Sequence, residues 1–262
     1  MNTERLRKTF LVEALFEPGK IQLTYTHHDR MIIGGAIPLK SALQLDAPDA
    51  LKADSFLERR ELGIINIGGN GAVEADGKTY ELTKLDCLYL GQGTKNIRFS
   101  SQDAANPAAF YLLSNPAHHA HPNRLMAAAD ATPDRLGSAE TANARTIYKY
   151  IYPGGIESCQ LVMGLTVLEP GSVWNTMPPH THDRRMEVYA YFDLPENQRV
   201  LHLMGEAAET RHLWISNRQA VISPPWSIHA GCGTSAYTFI WGMAGENQAF
   251  TDMDHLQLRE LA

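Results

Sequence analysis

Pro178-Pro-His180-Thr-His182-Asp-Arg-Arg-Met-Glu187 is the stretch on which the fold turns. On an extended strand, residues i and i+2 project to the same face. His180 and His182 therefore present two imidazoles to one point. Glu187 has odd spacing from His182, and on one straight strand it would face the other way. The polar Asp183-Arg-Arg185 between them is suited to turning the chain. Glu187 then begins a new strand beside the first, facing the same interior. A fourth group comes from Ser223-Pro-Pro-Trp-Ser-Ile-His229, where the prolines fix a bend ahead of His229. Three neutral imidazoles and one carboxylate make a borderline-hard site that accepts Zn²⁺, Mn²⁺, Fe²⁺ or Ni²⁺. No cysteine belongs to the set, which argues against a closed structural zinc and leaves a position for water or substrate.

Outward from this stretch the chain is strand-like. Arg145–Tyr152 alternates, Cys159–Leu168 is a long apolar run, and Met186–Phe192 alternates again. Val200–Met204, His212–Ile215, Ala220–Ile222 and Ala236–Trp241 complete this half. Earlier, Ile21–Tyr25, Met31–Gly35, Gly63–Ile67, Thr79–Thr83, Cys87–Leu90, Ile97–Phe99 and Ala109–Leu113 follow one another with glycine-rich turns between them. Asp76-Gly77 reads as a type I′ hairpin turn. Short strands at such spacing predict a β-sandwich or barrel. Residues 114–145 break the pattern with Pro116, Pro122 and Pro133, and hold one helix-like patch, Arg124–Ala129. A second short helix is expected at Lys8–Leu15. The expectation is an all-β chain of two tandem domains, 1–140 with the connector and 141–262 with the four candidate ligands.

The chain has 262 residues, 44% of them hydrophobic, and a net charge of −6. That apolar fraction excludes a mostly disordered chain. The charge, with no basic stripe, speaks against nucleic acid as a partner. No stretch approaches the roughly 20 apolar residues of a membrane span, and the start of the chain lacks the apolar core of a secretion signal. The three cysteines, Cys87, Cys159 and Cys232, form no CxxC pair. An odd, scattered set suits a reducing compartment, so a cytoplasmic location is expected.

The spacing Pro-His-x-His-x₄-Glu, followed by Pro-x₄-His, resembles the two motifs of the cupin fold, with Trp226 where the second motif often has glycine. In the first half, Glu61 with Asp54 and Phe56 upstream resembles a degenerate first motif, with Lys95 in place of the closing histidine. On that alignment the first half holds no metal. Longer blocks resemble the bacterial 5-dehydro-4-deoxy-D-glucuronate isomerases, also called 4-deoxy-L-threo-5-hexosulose-uronate ketol-isomerases. These blocks are His180–Tyr189, Glu209–His212, Gln219–His229 and Ala236–Gln248, and His28-Asp-Arg and Ile33–Pro38 in the first half are compatible. The resemblance implies a bicupin that converts the deoxy-keto-uronate to 3-deoxy-D-glycero-2,5-hexodiulosonate in pectin and polyuronide breakdown. It also implies one Zn²⁺ per subunit on His180, His182, Glu187 and His229, and assembly as a homohexamer.

Such an isomerisation moves a proton between neighbouring carbons through an enediol. It needs stabilisation of enediolate charge, a positioned acid or base, and a partner for the substrate carboxylate, for which an arginine fork is suited. The candidates are Arg184, Arg185 and Arg211 for the carboxylate, Tyr189 for the cavity wall, and Glu246 with Gln248 for acid–base or hydrogen-bond duty. Tyr191 shares a strand face with Glu187 and Tyr189. His202 and His212 read as buried and hydrogen-bonded, and His118, His119 and His121 as a connector contact. Three other readings stand beside the isomerase: a 5-deoxy-glucuronate isomerase, an Fe²⁺ cupin oxygenase, and a non-catalytic sugar-acid-binding cupin.

Overall fold

The computed structural model describes residues 1–249 and 251–262. The chain divides into two compact β units. One comprises residues 1–13, 132–149 and 163–262, the other residues 14–131 and 150–162. The units are therefore interleaved, whereas the sequence suggested a single division between 140 and 141. Local pairing explains both exchanges. Leu11–Val12 adds a short strand to Ala220–Val221 of the first unit. In the second unit the carboxylate of Glu61 accepts backbone N–H groups of Cys159, Gln160 and Leu161.

In the unit carrying the histidines, a seven-stranded sheet runs in the order Leu11–Val12, Gln219–Ser223, Arg185–Phe192, Thr238–Gly245, Val162–Leu168, Arg145–Ile151, Asp134–Leu136. A four-stranded sheet runs Trp174–Asn175, Ile228–Gly233, Val200–Glu206, Glu209–Ile215. Arg185–Phe192 is buried along its whole length and paired on both sides. Its alternation puts Arg185, Glu187, Tyr189 and Tyr191 on one face. Gly231 lies opposite His202 in the second sheet. A Cβ there would come within 2.7 Å of Asn175 Nδ2 and 3.0 Å of the Tyr191 hydroxyl. Only glycine leaves room for the polar groups that meet at this point.

The other unit has a six-stranded and a four-stranded sheet. Asp76 and Gly77 both have positive φ, 48° and 82°, and join Gly71–Ala75 to Lys78–Leu82 as the type I′ turn requires. Leu62, Ile64, Leu88, Leu90, Phe99 and Phe110 belong to one buried apolar core. Glu61, neighbour of Leu62 on the strand, points to the opposite face and accepts the Tyr89 hydroxyl at 2.9 Å besides the three N–H groups. The resemblance of Glu61 to a first-motif residue is thus corrected by its parity. Its carboxylate is a structural acceptor. Lys95 is exposed.

Three local expectations change. The first helix spans Thr3–Phe10, capped by the Asn2 side chain, and ends where Leu11 joins the sheet. Arg124–Met126 is a strand paired with Cys87–Tyr89, so the helix-like patch is overridden by an available sheet edge. His212 is exposed, while His202 is fully buried. The three cysteines are free. Among the described residues, no helix is long and apolar enough to cross a membrane.

Candidate metal centre

Each candidate ligand is placed by a different local device. His180 is in a two-residue strand paired with Asp254–His255. After it the chain turns at Asp183-Arg184, closed by Arg185 N–H donating to His182 O at 3.1 Å. That turn brings Glu187 back beside His182 on the new strand. Pro224 to Ser227 forms a second turn, with Ser227 N–H donating to Pro224 O at 2.9 Å. The following strand, Ile228–Gly233, then carries His229 opposite Met204.

The four donor atoms lie within 4.8 Å of one another, the one such group of four among the described residues. Glu187 Oε2 stands 3.0 Å from His182 Nε2 and 2.8 Å from His229 Nε2. His229 Nε2 is 3.0 Å from His180 Nε2. His182, Glu187 and His229 are buried, and His180 is half-buried.

The protonation pattern follows from these contacts. His182 Nδ1 is 3.0 Å from the carbonyl oxygen of Arg185, which only accepts, so Nδ1 carries the hydrogen. Nε2 of the neutral ring is then a lone pair aimed at a carboxylate oxygen. Two acceptors face each other unless a proton or a cation lies between them. Burial works against a charge on His182, but the Glu187 carboxylate overrides it and raises the pKa. Burial, reinforced by His229, drives His180 down to about 3, leaving a neutral imidazole. Burial also opposes a charge on Glu187, yet His229 and His182 hold its carboxyl well below the usual range. The neutral His180, His182 with its tautomer fixed by a backbone carbonyl, the His229 imidazole and an ionised carboxylate fit a divalent transition ion.

His180, His182 and Glu187 of the group line a cleft. Its walls include Phe239, Trp241 and Met243 from the strand beside Glu187, and Thr166, Thr176 and Met253. Two guanidinium groups line it, Arg185 and Arg145. Arg185 is fully buried. Its Nη2 donates to Asp252 O at 3.0 Å, but Nε and Nη1 have no hydrogen-bond partner. Asp252 Oδ2 is 4.0 Å from Nε, beyond hydrogen-bond reach. Burial pulls the Arg185 pKa down. Arg145 is half-buried and donates to Asn143 O at 2.9 Å.

The remaining candidates separate. Arg184 turns outward and pairs with Asp252 at 2.6 Å and Asp254 at 3.1 Å. Arg211 pairs with Glu209 and borders a different hollow, near Phe10 and Trp226. Glu246 is exposed, and its backbone N–H donates to Arg184 O. None of these three lines the cleft. Tyr189 does line it, and its hydroxyl is 2.9 Å from Thr176 Oγ1. Tyr191 lies deeper, bonded to His202 Nδ1 at 2.7 Å. Sequence reasoning missed Arg145, Thr166 and Thr176. Each comes from another strand or turn with no motif of its own, and only sheet register brings it to the cleft. His119 and His121 pack edge to face, with His121 3.8 Å from Glu157, outside this centre.

The KduI/IolB family pattern matches residues 10–258. The chain is 59% identical over 259 residues to the 4-deoxy-L-threo-5-hexosulose-uronate ketol-isomerase of Halalkalibacterium halodurans, covering 99% of this chain and 94% of that protein. The protein of the same name from Yersinia pseudotuberculosis is 54% identical, covering 100% and 95%. Among solved structures, an IolB-like protein of Salmonella typhimurium superposes with a TM-score of 0.77 at 15% identity, covering 94% and 96%. Oxalate decarboxylase of Bacillus subtilis, whose structure is described with Mn(II) centres, superposes at 0.63 and 9% identity, covering 94% and 77%. These structures share the cupin-type fold with this chain.

Proposed function

The chain belongs to the KduI/IolB family, and we propose that it is a ketol-isomerase acting on 5-dehydro-4-deoxy-D-glucuronate at the three-histidine, one-glutamate centre. The observation that carries this reading is the placement of that centre on the same cleft as a buried arginine with two unused donors. One end of the cleft suits a carbonyl or hydroxyl oxygen, and Arg185 suits a carboxylate. A sugar acid carries both.

His180, His182, Glu187 and His229 would hold a divalent ion, with zinc as the proposed occupant. When bound, the ion supplies electrophilic stabilisation of charge developing on substrate oxygens. The other work falls to the chain itself. Arg185 offers its charge and an unpaired N–H to the substrate carboxylate and fixes its orientation. Phe239, Trp241 and Met243 narrow the cleft and limit water, which strengthens every polar contact inside. The proposed product is 3-deoxy-D-glycero-2,5-hexodiulosonate, in polyuronide breakdown. The proposed setting is a cytoplasmic homohexamer, two-domain in the sense of one metal-bearing and one metal-free cupin unit.

The test is an isomerase assay on purified protein, with metal analysis, before and after chelation. Expected is loss of the deoxy-keto-uronate, loss of turnover on chelation, and recovery with added zinc. A folded His180→Ala, His229→Ala variant should bind no metal and turn over nothing. Unchanged turnover in that variant refutes the metal-centred reading. A substrate panel that includes 5-deoxy-glucuronate separates the two uronate isomerases, and mass determination in solution tests the hexamer.

A further inference from the structure

Thr176 stands out on the cleft wall. Its φ is +51°, in the left-handed region, which is unfavourable for a β-branched residue because Cβ crowds the backbone. Such conformations persist where surrounding structure enforces them, and they concentrate at functional sites. The strained backbone has one visible consequence. It places Thr176 Oγ1 2.9 Å from the hydroxyl of Tyr189.

Tyr189 is two residues beyond Glu187 on the same strand face, almost fully buried, and its ring is edge-on to His229 at 5.3 Å. A phenol keeps its hydrogen at neutral pH. A neutral phenol beside the ligand group is a hydrogen-bond donor, provided its O–H points into the cleft. That direction depends on what else the phenolic oxygen meets. If Thr176 donates to it, the Tyr189 hydrogen is left free for the cleft.

We infer that Thr176 is a positioning residue. Its hydroxyl donates to Tyr189 Oη and turns the Tyr189 O–H towards the substrate oxygen on which enediolate charge develops. The inference rests on the isomerase reading. It makes Tyr189 the residue that touches substrate and Thr176 the residue that acts through it. No bond is made or broken by either group.

The experiment compares Thr176→Val, Thr176→Ser, Thr176→Gly, Tyr189→Phe and the Thr176→Val, Tyr189→Phe pair, on metal-loaded protein. Donors to developing oxyanion charge are worth about 100-fold in kcat, so Tyr189→Phe should lose about that much with KM little changed. Thr176→Val should lose about tenfold in kcat. Thr176→Ser should restore activity to within about threefold, because it keeps the hydroxyl. In the Tyr189→Phe background Thr176→Val should have no further effect, since the group it orients is gone. Thr176→Gly should raise the melting temperature by relieving the backbone, while its kcat falls with that of Thr176→Val. The inference is overturned if Thr176→Val costs as much in the Tyr189→Phe background as alone. It is equally overturned if Thr176→Val raises KM at constant kcat, or if Thr176→Gly lowers the melting temperature. A folded, metal-loaded wild type without isomerase activity overturns the isomerase reading itself, a result distinct from active wild type with indifferent Thr176 variants.

Discussion

Replacing Arg185 by methionine separates a binding role from a structural one. Arg185 is fully buried, with one hydrogen bond to Asp252 O and two donors unused. Methionine keeps much of the stem volume and removes the charge. The lost bond from a charged donor is worth about 1.5–3 kcal/mol. Against this stands the cost of keeping an incompletely paired guanidinium out of water, several kcal/mol. Stability without substrate should therefore hold or rise. Activity should not hold. Removing one partner of a buried, hydrogen-bonded charge pair costs about 2–5 kcal/mol, which at about 1.4 kcal/mol per decade is roughly 30-fold to several thousand-fold in kcat/KM. The assay is kcat/KM for substrate and for its carboxamide analogue, with urea denaturation alongside. Wild type should discriminate strongly between the two substrates, and Arg185→Met should not. A folded Arg185→Met with kcat/KM within threefold of wild type, or one still discriminating, would refute the assignment.

The neighbouring Arg184→Ala removes an exposed ion pair with Asp252 and Asp254. Exposed pairs of this kind contribute little to stability, so kcat/KM and melting temperature should stay near wild type. Zinc uptake should release a proton from His182, whose metal-free pKa is raised. Affinity should thus rise with pH until that pKa is passed, then level off, as read by calorimetry in buffers of different ionisation enthalpy. Glu61→Gln should destabilise by about 3–5 kcal/mol. It puts an amide among the N–H groups of Cys159, Gln160 and Leu161, leaving buried donors unmatched, with metal content unchanged by elemental analysis.

Much of the fold was legible because its signals are local. Alternation over Arg185–Phe192, and the Asp76-Gly77 turn, depend on neighbours within a few residues. The clustering of the candidate ligands was legible for the same reason, since His180, His182 and Glu187 need only a strand, a turn and a second strand. Arg124–Ala129 misled because its composition suits a helix, while a vacant sheet edge at Cys87–Tyr89 decided otherwise. The domain division misled because Leu11–Val12 and the segment after Tyr150 find their partners far along the chain.

By itself the sequence determined the β class, the four candidate ligands and the family to which the chain bears likeness. The tertiary structure alone decided what surrounds those ligands. Arg184 and Arg185 are adjacent and chemically alike, yet Arg184 sits in the turn and faces outward while Arg185 opens a strand buried along its length. The pairing of Arg185 with Gly245 holds it there. Arg145, Thr166, Thr176 and Trp241 reach one cleft from four separate segments. The reason is physical: side-chain direction within a strand is set by near neighbours, but which strands lie side by side is set by pairing and burial across the whole chain.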